Sequence, residues 1–141
     1  MTTKREQIAE KIGLALESIK TSNGYRTNIG EKVVYFYEVM DQNVEHIAYA
    51  DVDEKYEDDN SLRHCELTID VQVVRYGKNY GQLVNEAVDD VLKALIKTNN
   101  RSLGLRDVQI EPTDSTSDYD MTGRAFVVIQ LKFKVMYVIT I

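Results

Sequence analysis

Apolar residues recur at intervals of three and four in two places along the chain, and at intervals of two in several others. From Lys4 to Thr21, Ile8, Ile12, Ala15, Leu16 and Ile19 fall on one stripe, while Glu6, Glu10, Lys11, Glu17 and Lys20 lie away from it. That pattern predicts a helix covered on one side only. Thr3 and Glu6 stand at capping-box spacing, and Asn23-Gly24 predicts the helix end, because both residues tolerate the left-handed conformation. A second helix is predicted over Tyr80 to Thr98. Leu83, Val84, Ala87, Val88, Val91, Leu92, Leu95 and Ile96 share its apolar face, with Glu86, Asp89, Asp90 and Lys93 opposite. Lys93, Lys97 and Arg101 sit toward its C-terminal end, where the helix dipole favours cations.

Between and after the helices the period changes to two. Lys32 to Val39 is rich in β-branched and aromatic residues and reads as a strand, and a second short strand is predicted over His46 to Val52. Cys65, Leu67, Ile69, Val71 and Val73 alternate with Glu66, Thr68, Asp70 and Gln72, a long strand with one dry and one wet face. Tyr76 to Asn79 supplies the turn out of it. Val108-Gln109-Ile110 reads as a short strand stopped by Pro112. The closing strand places Leu131, Phe133, Val135, Tyr137, Ile139 and Ile141 on one face and Gln130, Lys132, Lys134 and Thr140 on the other. The polar stretches Glu54 to Ser61 and Thr113 to Thr122 carry no such period and are expected to be mobile loops, near 53–61 and 113–122.

The predicted order is therefore α, β, β, β, α, β, β in one domain spanning residues 1–141. Long alternating strands with few crossover helices imply an α+β fold, a mostly antiparallel sheet with two amphipathic helices packed on one face. A chain of 141 residues with 43% hydrophobic and 28% charged positions has enough material for one core. Cys65 is the single cysteine, so no disulfide within the chain is expected. The N-terminal stretch lacks the apolar run of a signal peptide. The apolar C-terminal stretch is interrupted by Gln130, Lys132 and Lys134, which argues against a membrane span.

Charge is unevenly placed. Seventeen bases and 23 acids leave −6, a balance that disfavours a nucleic-acid binder, whose affinity comes from neutralising phosphates. Between Glu38 and Asp70 lie eleven acids and two bases, so this third of the chain carries −9 and the remainder +3. Such a block is either a solvated acidic loop or a surface that repels polyanions or meets a basic partner.

Constellations for catalysis are sparse. His46 and His64 have no nucleophile at a recognisable spacing, and Cys65 belongs to the dry face of its strand. The acids from Asp51 to Asp59 lack the glycine and the spacing of a calcium loop. Asp114, Asp118 and Asp120 fare no better, and no Gly-rich phosphate loop is present. Glu66 and Asp70 share a strand face that reads as a charged exterior. The expectation is a protein without catalysis, metal or cofactor. The outer face of the final strand is mixed, with Val128, Met136 and Val138 among Gln130, Lys132 and Lys134. A strand running to Ile141 calls for cover from a neighbouring loop or from another subunit.

The whole succession resembles the tail terminator, or tail completion, proteins of long-tailed bacteriophages. The residues that carry the likeness are the N-terminal helix closing on Ser22-Asn23-Gly24-Tyr25, the strand through Val33 to Tyr37 and the strand near Ile47-Ala48-Tyr49. The acidic stretch follows, then the long strand Arg63 to Val71, the helix Ala87 to Leu95 and the closing strand Leu131 to Tyr137. At Val44-Glu45-His46 the chain departs from relatives that carry a proline there.

The resemblance implies a virion protein assembled in the host cytoplasm: a ring, usually of six copies, that caps the tail tube, stops its polymerisation and docks the neck of the filled head. Its partners would be copies of itself, the tube protein and the neck or head-completion protein, with DNA passing through unbound and no membrane. On this reading the acids Asp51, Asp53, Glu54, Glu57, Asp58, Asp59, Glu66 and Asp70 line or rim the channel. Arg124, Lys132, Lys134, Met136 and Val138 contact the next subunit or the tube, and Lys93, Lys97, Arg101 and Arg106 meet acids there. Another neck protein of the same tail, such as a head-closure or connector component, remains an alternative. So does a small host α+β ligand-binding domain or enzyme.

Overall fold

The computed structural model describes residues 3–35, 44–98, 100–120 and 122–141. Its elements follow the expected order. Helix α1 spans Lys4–Glu17, strand β1 Val33–Tyr35, β2 His46–Asp59, β3 Leu62–Tyr76, helix α2 Tyr80–Leu92, β4 Val108–Asp120 and β5 Phe126–Thr140. One five-stranded sheet has the order β1-β2-β3-β5-β4. Every neighbouring pair is antiparallel except β1 and β2, which run parallel over Val33 to Tyr35 and Ile47 to Tyr49. The fold is α+β.

Both helices bury their apolar stripes against one face of the sheet. Ile8, Ile12, Leu16 and Ile19 from the first, and Ala87, Val91, Ala94 and Leu95 from the second, lose nearly all contact with water. They join Ile47, Leu67, Ile69, Val71, Ile129, Leu131, Phe133 and Val135 of the sheet in one core. Thr3 caps α1 as its spacing predicts, its hydroxyl accepting from the Glu6 amide at 3.1 Å. The helix ends at Glu17, short of Thr21, because the chain returns across it at Gly30. A Cβ at residue 30 would overlap the backbone of Leu16 and Ile19. Gly24 takes the left-handed conformation but closes a separate 3-10 turn, Thr21–Asn23.

Helix α2 continues into a wider π turn, Lys93–Lys97, in which the Thr98 amide donates to the Lys93 carbonyl five residues back. Asp90 corrects the expected polar face of this helix. It is 1% exposed, and its carboxylate accepts from the amides of Arg26 (3.1 Å) and Thr27 (2.9 Å) and from the Thr27 hydroxyl (2.6 Å). Charged side chains are buried only when such partners meet their hydrogen-bonding capacity.

Both expected loops are strand. β2 runs on through Glu54 to Asp59 and turns at Asn60-Ser61, with Asn60 in the left-handed region at φ 56°. β4 continues past Pro112 to Asp120. It tolerates the proline because β4 is an edge strand and the ladder shifts register between Pro112 and Asp114. The predicted strand from Lys32 is confirmed over Val33 to Tyr35, and its remainder, Phe36 to Val39, lies outside the described residues.

Candidate interaction surfaces

Strand registers sort every charged side chain of the sheet onto one face or the other. Even-numbered residues of β3 and β5 turn away from the helices and pair in rows. The row Ala50, Asp70, Lys132, Asp114 crosses four strands, as do Asp53, Thr68, Lys134, Glu111 and Ala48, Gln72, Gln130, Thr116. Among the described residues this helix-free face carries nine acids: Asp53, Glu57, Asp59, Glu66, Asp70, Glu111, Asp114, Asp118 and Asp120. Against them stand three bases, Lys55, Lys132 and Lys134. The balance of −6 equals the charge of the whole chain, and the other described residues, twelve acids and fourteen bases, carry +2. The sheet has thus separated the excess charge onto one side.

The acids proposed from the sequence for a channel do not behave alike. Asp53, Glu57 and Asp59 are exposed on the helix-free face. Glu66 is on the same face but pairs with Lys134, whose Nζ lies 2.9 Å from Glu66 Oε1. Each partner shifts the other, the hydrogen bond and charge of Lys134 lowering the Glu66 pKa and those of Glu66 raising that of Lys134. Asp70 is 8% exposed and accepts from Gln130 Nε2 at 2.9 and 3.1 Å. Asp58 lies on the opposite face, where it holds Arg63 Nε at 2.8 Å beside the Tyr56 ring.

Asp51 and Glu54 correct the expectation outright. Strict alternation would place residues three apart on opposite faces, but the register shift between Asp51 and Asp53 turns both toward α1. There Arg5 spans them, Nε 2.5 Å from Asp51 and Nη1 2.8 Å from Glu54. Tyr35 donates its hydroxyl to Asp51, and Tyr137 donates to Glu54. The side chains of Asp51 and Glu54 are 5% and 6% exposed, so neither is available to line a channel. Burial first, and the adjoining carboxylate second, push both tyrosine hydroxyls well above their ordinary pKa. The same carboxylates raise that of Arg5.

Of the residues expected to make contacts, Lys132 and Lys134 are exposed on the helix-free face, flanked by the acids of β3 on one side and β4 on the other. Met136 and Val138 are half-buried there. They line an open depression of about 760 Å³ together with Lys55, Glu57, His64 and Glu66. Arg124 stacks on the Tyr76 ring, its guanidinium carbon 4.0 Å from the centroid. The acids of β4, set aside as loop residues in the sequence, complete the acidic face, and only their pairing with β5 shows it. Cys65 is buried, and burial raises its thiol pKa. Among the described residues, no group of three His, Cys, Asp or Glu side chains is placed to hold a metal ion. No helix of the described residues is long and apolar enough to cross a membrane. No family model matches the chain, and comparison with curated proteins returns no match.

Proposed function

We propose that this chain is a ring-forming structural subunit that caps a phage tail tube and presents a docking surface to the neck, with its acid-rich sheet face toward the passage for DNA. The observation that carries this reading is the sorting of charge among the described residues: nine acids and three bases on the helix-free face, against twelve acids and fourteen bases elsewhere. A conduit for a polyanion works best when its wall retains no phosphates, because several ion pairs held at once would slow passage. A negative wall repels the strand instead. The lysines of this face fit the same role, since acids surround Lys132 on both sides in its row and Lys134 is already paired with Glu66. Residues suited to the wall are Asp114, Asp118 and Asp120, all exposed. In this reading the protein has no catalytic activity and no cofactor, and it acts in the virion at the junction of tail and neck.

The decisive experiment adds the purified protein to polymerising tail tube protein and measures tube length by electron microscopy. Capped tubes of limited length, each ending in a ring, are expected; unlimited growth at saturating protein would defeat the termination role. An image of the ring with the helix-free face on the outer wall would defeat the assignment of that face to the passage.

A further inference from the structure

At one end of the sheet the two edges carry opposite charge. β1 covers the side of β2 only along Ile47 to Tyr49, so among the described residues β2 is an unpaired edge from Asp53 to Asp59. Asp53, Glu57 and Asp59 are exposed on it, and Lys55 is the single base between Asp51 and Ser61. Tyr56, Cys65, Tyr137 and Val108 are successive partners across four strands, which sets the opposite edge roughly 14 Å away at the same level. The segment leading into that edge carries Lys97, Arg101 and Arg106, all exposed, with no acid between Val91 and Arg106; the exposed Asp107 that follows pairs with Arg106 at 3.8 Å, so the stretch from Lys97 to Asp107 carries a net +2. It is tied down on both sides. The Arg101 carbonyl accepts from the Ile110 amide at 2.7 Å, that of Arg106 accepts from Lys4 Nζ at 2.9 Å, and Leu103 between them is buried.

We propose that a second copy of this chain docks edge to edge, the Asp53–Asp59 hairpin edge of one copy meeting the Lys97–Arg106 segment of the next. This rests on the ring reading and supplies its subunit contact. Copies that each carry −6 repel one another unless opposite charges are brought together, and these two surfaces are opposite in sign, Asp53, Glu57 and Asp59 on one against Lys97, Arg101 and Arg106 on the other. Because they lie on opposite edges, the contact is head-to-tail and repeats from copy to copy, closing into a ring when the rotation permits. Pairing of two β4 edges is opposed by Glu111, Asp114, Asp118 and Asp120, which would face their own kind. The same acids repel a hairpin that slides along β4, so the register stays at the basic segment. Exposed ion pairs are individually weak; they select the edge and direction, while burial of Tyr56, 58% exposed in the single chain, holds the copies together.

The test uses two triple variants of the full chain and measures mass by light scattering across concentration, with circular dichroism to verify folding. One variant carries Asp53→Lys, Glu57→Lys and Asp59→Lys; the other carries Lys97→Glu, Arg101→Glu and Arg106→Glu. Each alone should need at least about tenfold more protein than the wild type to assemble, and an equimolar mixture should form closed rings of alternating copies, since each reversed edge then meets its complement. Variants that assemble like the wild type overturn this contact and leave the ring reading standing. Folded monomers that fail to assemble on mixing also overturn it. A wild-type chain that forms no ring alone or on tube ends overturns both.

Discussion

Lys134 reaches diagonally across the sheet to Glu66, its Nζ 2.9 Å from the carboxylate although the register partner of Glu66 is Met136. This contact joins an acid and a base that the sequence assigned to separate surfaces. Glu66 is held below its ordinary carboxyl pKa by the lysine, so its contribution to stability is present above the unfolded value of about 4.3 and is lost as pH falls through the folded value. Carbon-detected NMR titration should show Glu66 ionising below the usual glutamate range. Lys134→Ala should return it toward that range, and an unchanged midpoint in the variant would count against the pair.

Gly13 leaves room for Tyr49, whose hydroxyl occupies the space that a Cβ at residue 13 would fill. Gly13→Ala should therefore destabilise the protein by about 1–3 kcal/mol, the usual cost of overpacking a core, despite the better helix propensity of alanine. The expected signature is non-additivity. In a Tyr49→Phe background, where the overlapping oxygen is gone, the same change should cost less than half as much by urea denaturation.

Asp90 holds the turn before β1 to the second helix through three hydrogen bonds to Arg26 and Thr27. Asp90→Ala leaves those donors without their acceptor in a buried position and should cost about 2–4 kcal/mol. Asp89→Ala, one residue earlier and paired with Arg26 at the surface, should change stability by no more than about 0.5 kcal/mol. Equal losses from the two would refute the buried role.

Alkaline conditions should loosen the contact between α1 and the sheet. The hydroxyls of Tyr35 and Tyr137 are raised above the ordinary tyrosine pKa by burial and by the carboxylates they bond. A raised acid of this kind supports the fold below its unfolded value, about 10, and that support fades as pH rises through the folded value. Ultraviolet titration should find these two hydroxyls protonated above the ordinary range. Tyr137→Phe should reduce the loss of stability between about pH 10 and pH 12.

Much of this was readable without coordinates. Ile8, Ile12, Leu16 and Ile19, and Ala87, Val91 and Leu95, announce their helices because one-sided burial imposes a period of about 3.6 residues. Leu67 to Val73 and Leu131 to Tyr137 announce theirs by a period of two. Glu54 to Asp59 and Thr113 to Asp120 gave no sign of being strand, because their side chains are mostly exposed and the hydrogen bonds that define them come from β3 and β5. Asp90 reads as a surface acid until the 26–27 turn arrives to use it.

The sequence alone determined the order of elements, the fold class and the apolar faces that form the core, since those depend on local period and on the favourable removal of apolar side chains from water. Only the tertiary structure decided which acids stand together. Register across four strands gathers Asp70, Lys132 and Asp114 into one row, and a single register shift sends Asp51 and Glu54 to Arg5. Electrostatic grouping depends on distance in space, and backbone pairing brings together charges that lie tens of residues apart along the chain.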